Sequence, residues 1–120
     1  MNAMIESDRV RLLEGDIRIV DMPSQSGKGQ RIARCAQCSV AVWSNYAGLG
    51  DAARFVRVGT LDDPGRLPPN IHIFTASKQP WVVLPAGVPS VPEYYKASEY
   101  WPTESLERRA ALLAQLPLRR

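Results

Sequence analysis

The distribution of proline is the feature that most limits what this 120-residue chain can fold into. Nine of its ten prolines lie after Asp63. Proline fixes the φ angle and has no amide hydrogen, so it interrupts helices. We therefore expect an irregular, proline-stiffened segment that runs through Pro92 and contains no long helix.

Short segments of alternating apolar and polar residues, most of them before this segment, predict β-strands. Turn-forming residues separate them, as in Pro23–Gly29 (PSQSGKG), which we expect to be an exposed hairpin loop. Short strands with turns every 8–12 residues or so are typical of an all-β sandwich or folded-sheet domain. The predicted strands are Val10–Leu13, Ile17–Met22, Gln30–Arg34, Ser39–Trp43, Arg54–Val58 and Ile71–Phe74.

The last part of the chain has a helical pattern instead. Apolar residues recur at helical spacing through a polar stretch, and a negative charge in the first turn suits the helix dipole. We expect one amphipathic C-terminal helix, with Thr103 as its N-cap and Pro117 as its end. The residues of this pattern are Thr103, Glu104, Leu106, Ala110, Leu113, Leu116 and Pro117.

Composition and charge indicate a globular domain and argue against a nucleic-acid partner. With 45% hydrophobic and 22% charged residues, the chain fits one globular domain. Its formal net charge is +3, but residues 103–120 hold four arginines and two glutamates, so the rest carries only +1. Nucleic-acid binding needs a clustered basic surface, and none is evident. We therefore expect no nucleic-acid partner.

The sequence also predicts a cytoplasmic protein without a membrane partner. No apolar run approaches the roughly 20 residues that span a bilayer. The first ten residues lack an apolar core and include Glu6 and Asp8, so they do not form a signal peptide. In the cytoplasm thiols stay reduced.

Cys35 and Cys38 are the only cysteines of the chain and form a CxxC pair. In a reducing compartment this spacing indicates a metal site or a redox pair rather than a disulfide. A tight turn between two strands suits a zinc knuckle, but a structural zinc needs four ligands. His72 is the only other soft ligand, and it lies in a strand pattern that favours a structural role.

Two other interpretations of the cysteines stay open. A redox dithiol usually has its first cysteine at a helix N-terminus, whereas the residues after Cys38 are strand formers. The pair could also be small buried side chains without chemistry.

Four segments together resemble the glutathione-dependent formaldehyde-activating enzyme family, which includes the centromere protein V type domains. The resemblance covers residues 1–102. It implies a mostly β fold, a β-tent of folded antiparallel sheets similar to Mss4, and carbon–sulfur lyase activity on a glutathione–aldehyde adduct. The segments are Arg31–Trp43 (RIARCAQCSVAVW), Arg54–Pro64 (RFVRVGTLDDP), His72–Phe74 (HIF) and Ser77–Trp81 (SKQPW).

The resemblance also implies a role for the cysteine pair. Members of the family typically carry two zinc sites, and Cys35 and Cys38 match the later CxxC of the structural one. In the family, an early cysteine pair completes that structural site and a cysteine trio holds the catalytic zinc. Both would lie before the part of the family sequence that corresponds to residue 1 of this chain. No catalytic residue can therefore be assigned in this chain. Ser39 stands where the family usually has glycine, which would allow a left-handed turn.

These observations predict a two-part chain: residues 1–102 form the β domain without its N-terminal zinc module, and 103–120 form the C-terminal helix and tail. We expect a zinc-binding family member with reduced or no lyase activity and a glutathione-type small molecule as partner. The alternative is a non-catalytic interaction module, such as a homodimer whose two CxxC pairs share one zinc. Tyr94–Tyr95 and Tyr100–Trp101 form a candidate partner surface.

Overall fold

The computed structural model describes residues 1–116. They divide into two compact units, the first containing Met1–Leu67 and the second Pro68–Ala114. The predicted end of the C-terminal helix at Pro117 lies outside the described residues. The boundary predicted between residues 102 and 103 stays a prediction.

The first unit is built on one antiparallel sheet of five strands. Their spatial order is β1-β5-β4-β3-β2, so β1 and β2 form its two edges. Consecutive strands from β2 to β5 are neighbours, and β1 pairs with β5. The strands are β1 (Asn2–Glu6), β2 (Ile17–Met22), β3 (Gln30–Cys35), β4 (Ala41–Tyr46) and β5 (Ala53–Arg57).

Strand β3 supplies most of the strongly buried apolar side chains of the sheet. Ile32 and Ala33 are both buried although they point to opposite faces. Ile32 lies opposite Ser44, which in turn lies opposite Phe55. Ala33 lies opposite Trp43 on the other face. Both faces of the sheet are therefore covered at its centre.

The hairpin between β2 and β3 is closed by the predicted exposed loop. Gly27 and Gly29 have φ angles of 78° and 80°, which glycine adopts without steric penalty. The amide of Gly29 donates to the hydroxyl of Ser24 at 3.1 Å. This loop fixes the register in which Arg18 pairs with Arg34.

Two of the predicted strands are not strands. Val10–Leu13 is irregular, and Leu12 and Leu13 are 50% and 82% exposed, so these apolar side chains do not contribute to a buried face. Ile71–Phe74 reduces to a single parallel bridge between His72 and Ser90, since Phe74 has a left-handed φ of 54° that ends extended structure.

The second unit is largely irregular, as its prolines predicted, and contains two α-helices. They are α1 (Ala97–Tyr100) and α2 (Thr103–Ala114). The amide of Leu106 donates to the carbonyl of Pro102 at 3.1 Å, so Pro102 precedes the helix and Thr103 is its first residue. The prediction that Thr103 is the N-cap is therefore wrong by one position.

The predicted fold class, mostly β with a C-terminal helical region, is confirmed. In the described part of the chain, no helix combines the length and the apolar character needed to cross a membrane.

Candidate metal centre

The cysteine pair lies in the tight connection between β3 and β4, where sequence reasoning expected it. Cys35 ends β3, and its amide donates to the carbonyl of Val40 at 2.9 Å. The amide of Ser39 donates back to the carbonyl of Cys35, also at 2.9 Å. These two bonds close a five-residue turn that leaves Cys38 exposed and Cys35 half-buried.

The turn also affects the ionisation of the Cys35 thiol. The N–H groups of Cys38 and Gln37, followed by the Cys38 side chain, hydrogen-bond to this sulfur and lower the pKa of Cys35, against a small opposing effect of burial. Hydrogen bonds to the charged form of a group stabilise that form. The turn therefore favours the thiolate, which is the form that binds metal.

Ser39 adopts the left-handed conformation that the family glycine would allow. Its φ angle is 65°. For a residue with a Cβ atom this conformation costs about 1–2 kcal/mol. The backbone of the turn therefore adopts the left-handed conformation even without the expected glycine, and the steric cost falls on Ser39.

Two arginines lie against Ser39. Arg18 donates from Nη2 to the Ser39 hydroxyl at 3.2 Å, and Arg34 donates from Nη1 to the Ser39 carbonyl at 3.0 Å. Sequence reasoning did not identify either residue. The sequence nevertheless contained a signal for their pairing. The predicted hairpin loop Pro23–Gly29 is centred on Ser26, so residues eight positions before and after Ser26, Arg18 and Arg34, lie opposite each other.

The donor set of residues 1–116 fits half of a zinc site. A CxxC turn can direct both sulfurs at one ion, at about 2.3 Å each. Within these residues, however, no group of three or more histidine, cysteine, aspartate or glutamate side chains could hold a metal ion. Zinc binding by Cys35 and Cys38 stays a prediction, and two further ligands must come from elsewhere.

His72 belongs to the second unit and has no metal-site partner in the described residues. Its main chain forms the bridge to Ser90 and bonds with Pro89 and Val91 at 2.9 Å. Its Nε2 atom is enclosed and has no hydrogen-bond partner among the described residues. The structural role favoured by the sequence accords with these main-chain bonds.

The turn does not provide the setting of a redox dithiol. After Cys38 the chain enters β4 at Ala41 rather than a helix. The dipole of a helix N-terminus, which activates such dithiols, is therefore missing at this position.

The far end of the β2–β3 hairpin borders an open cavity of about 430 Å³. Arg31 lies beside two carboxylates there, with Nε 3.3 Å from Asp21 and Nη1 3.9 Å from Asp51. Lys28 and Tyr46 also line it. Both signs of charge therefore face this cavity.

The aromatic residues of the predicted partner surface lie close together in the second unit, and their role in binding stays a prediction. Neighbouring ring centroids along it lie 4.9–6.3 Å apart. The Trp101 indole nitrogen donates to the Tyr95 hydroxyl at 2.9 Å, and the Arg109 guanidinium lies 6.0 Å from the Trp101 ring. Tyr94 remains 59% exposed. The row consists of Phe74, Tyr94, Tyr95, Tyr100 and Trp101.

Comparison with known proteins identifies the family. The family model described as glutathione-dependent formaldehyde-activating enzyme matches residues 1–77, which include the whole sheet and the cysteine turn. No curated protein and no solved structure matches the chain. The likeness to centromere protein V type domains stays a resemblance. Since the family model matches more than half of the 120 residues, this chain belongs to the glutathione-dependent formaldehyde-activating enzyme family.

Proposed function

We propose that these 120 residues act as a zinc-knuckle domain of this family, with Cys35 and Cys38 as structural zinc ligands. The observation that carries the proposal is the short turn that two main-chain hydrogen bonds of 2.9 Å close around the cysteine pair, with Cys38 exposed. The lowered pKa of Cys35 supports it, because hydrogen bonds that stabilise the charge of a ligand are typical of metal sites.

The same domain has reduced or no carbon–sulfur lyase activity of its own. The lyase chemistry of the family, as the resemblance implies it, depends on a second zinc held by a cysteine trio. The 120 residues contain two cysteines, and both belong to the knuckle. No thiolate remains to hold a catalytic metal in this stretch of chain.

Metal analysis of the purified chain tests the zinc assignment. We expect bound zinc in the native protein, and the charge-transfer absorption of cobalt–thiolate bonds after exchange with Co²⁺. Cys38→Ser should lose both signals, while Ser98→Ala, an exposed change in α1, should keep them. A native protein that folds and binds neither metal would refute the assignment.

A lyase assay on the same samples tests the second part. We expect the zinc-loaded chain to give no more turnover of the glutathione–formaldehyde adduct than buffer does. Full family-like activity that survives Cys38→Ser would contradict the proposal, because it would require a catalytic site other than the knuckle.

The second candidate is a non-catalytic interaction module in which two copies share one zinc. The count of ligands in residues 1–116 favours it, because each copy supplies two of the four thiolates that a structural zinc requires. One zinc per two chains, together with the mass of a dimer, is the expected result. The aromatic row of the second unit offers a further protein-binding surface.

A glutathione-type small molecule and a cytoplasmic location complete the proposal. The mixed charges around Arg31 suit a zwitterionic peptide, whose carboxylates and ammonium complement the guanidinium and the two aspartates. A reducing compartment keeps both cysteines available for zinc. Titration of labelled protein with glutathione should shift amide signals near Arg31, and Arg31→Gln should abolish those shifts.

A further inference from the structure

One edge of the five-stranded sheet is open to another strand. Within residues 1–116, β2 pairs with β3 on one side and with no strand on the other. Four of its six residues are exposed, including the apolar side chains of Ile19 at 52% and Met22 at 42%. In the opposite edge strand, β1, only Asn2 is exposed. An open edge presents main-chain groups to which a further strand can bind.

The hydrogen bonds of the β2–β3 hairpin identify which main-chain groups face this open edge. The amide of Ala36 donates to the carbonyl of Asp16 at 3.0 Å, directly before β2 begins. In an antiparallel pair, residues that bond to the neighbouring strand alternate with residues whose amide and carbonyl point away from it. The amides and carbonyls of Ile17, Ile19 and Asp21 therefore point outward, away from β3.

The features that usually protect an edge strand from pairing are missing in β2. Such features are proline, a bulge, or charged side chains that repel an approaching strand. β2 contains no proline, and its register with β3 has no shift. Arg18 donates to the Ser39 hydroxyl, and Asp21 lies 3.3 Å from Nε of Arg31 on β3. Both charges of β2 are therefore engaged on the side of β3.

The residues of β2 favour a second copy of the same strand as the occupant of this edge. Two copies related by a two-fold axis pair antiparallel, with one residue opposite its own counterpart. An axis at Arg18 would place two arginines directly opposite each other, which destabilises a sheet. An axis at Val20 would place Ile17 opposite Pro23, which has no amide hydrogen. An axis at Ile19 avoids both conflicts.

With the axis at Ile19, the outward main-chain groups of the two strands match. Ile19 bonds with Ile19 of the second copy, and Ile17 bonds with Asp21 on both sides of the axis, so about six hydrogen bonds form. Arg18 then lies opposite Val20, so no like charges are directly opposite each other. The exposed side chain of Ile19 is buried against its counterpart.

We propose that the β2 edge is a homodimerisation surface, on which two copies of this chain pair antiparallel through Ile17–Met22 with Ile19 at the two-fold axis. The two sheets then form one continuous sheet. This interface goes beyond the zinc-knuckle function and does not depend on it. Strand spacings of about 4.8 Å and a rise of about 3.3 Å per residue place the two cysteine turns about 20 Å apart, too far for one zinc ion.

Sedimentation in the presence of a chelator tests the dimer. The interface is small, so we expect the native chain to be a dimer at about 200 μM and a monomer at about 1 μM. Ile19→Lys should be monomeric at both concentrations, because it places two positive charges opposite each other. Val83→Lys, the same change at an 89% exposed residue of the second unit, is the matched control and should dimerise.

Two outcomes of this experiment would overturn the proposal. One is a native chain that stays monomeric at the higher concentration. The other is a dimer that forms only with zinc, which would support a shared knuckle instead. A chain that binds no zinc and still dimerises would overturn the knuckle and leave this surface standing.

Complementary charges test the position of the axis. Ile19→Lys and Ile19→Glu should each stay monomeric, whereas their equimolar mixture should form a heterodimer, because the axis brings these two side chains opposite each other. Thermal melting verifies that both variants fold. Two folded variants whose mixture stays monomeric, or an Ile19→Lys variant that dimerises alone, would overturn the Ile19 axis.

Amide hydrogen exchange tests the occupant of the edge. The outward amides of Ile17, Ile19 and Asp21 should exchange more slowly in the dimer than in the monomer. The amides of Arg18 and Val20, which bond to β3, should exchange equally in both. Outward amides that are protected only when an extended peptide of another protein is added would overturn the second copy as the occupant.

Discussion

Arg57 donates a hydrogen bond from Nη2 to the hydroxyl oxygen of Ser44 at 2.9 Å, across the pair of strands β5 and β4. Ser44 is fully buried, so its hydroxyl has no access to water. Arg57 also donates from Nη1 to the side-chain oxygen of Asn2 at 3.0 Å. One guanidinium therefore connects three neighbouring strands of the sheet.

Ser44→Ala should lower the free energy of unfolding by about 1–2 kcal/mol, because it leaves a partly buried donor of Arg57 without its partner. Urea denaturation followed by circular dichroism measures the change. Ser98→Ala, at an exposed position, is the control and should be close to neutral. Equal stability of the two variants would mean that water replaces the lost acceptor.

The Arg54 side chain should contribute through its position over Trp43. Its guanidinium lies 4.2 Å from the ring centroid and donates to the carbonyl of Val10 at 2.9 Å. A double-mutant cycle of Arg54→Met and Trp43→Leu should give a coupling energy of about 0.5–1 kcal/mol. Independent, additive effects would show that the two side chains do not interact in solution.

Ser39→Gly should stabilise the chain by about 1 kcal/mol, because glycine adopts the left-handed conformation without the Cβ clash. Ser39→Ala is the matched control, since it also removes the hydroxyl that Arg18 contacts but retains the Cβ atom. We expect thermal melting to rise for the first variant and not for the second. Similar melting of both would argue that the turn relaxes in solution.

The Cys35 thiol should ionise at lower pH in the folded chain than in the unfolded one. The Cys38 and Gln37 amides lower its pKa, so folding gains stability above the ordinary thiol pKa and loses it as pH falls through the lowered value. Alkylation rates of metal-free Cys38→Ser against pH measure this ionisation. Identical profiles in buffer and in urea would contradict the prediction.

The sequence was informative where side-chain alternation and turn chemistry agreed. Ile17–Met22 and the loop after it were predictable, because alternation and a cluster of turn formers indicate the same hairpin. Val10–Leu13 has apolar residues but finds no pairing partner, and pairing depends on contacts that a local pattern does not contain. The left-handed φ of Phe74 was likewise hidden, since aromatic residues usually favour strands.

The candidate site divides in the same way. The spacing of the cysteines was enough to predict the turn. Two ligands separated by two residues suit one metal ion, and this signal does not depend on the rest of the fold. Arg18 lies 17 positions before Cys35, and its place at the turn follows only from strand register. Ligands are therefore easier to find in a sequence than the side chains that contact their turn from another strand.

The register shift in β4 has a consequence for how this fold can change over evolution. Ala33 pairs with Trp43, but Arg34 pairs with Ala41, so Val42 is an additional residue in the ladder. A bulge absorbs such a residue without disturbing the strands on either side. The cysteine turn can therefore gain or lose sequence on its own side of the bulge while the core pairs beyond it are inherited unchanged.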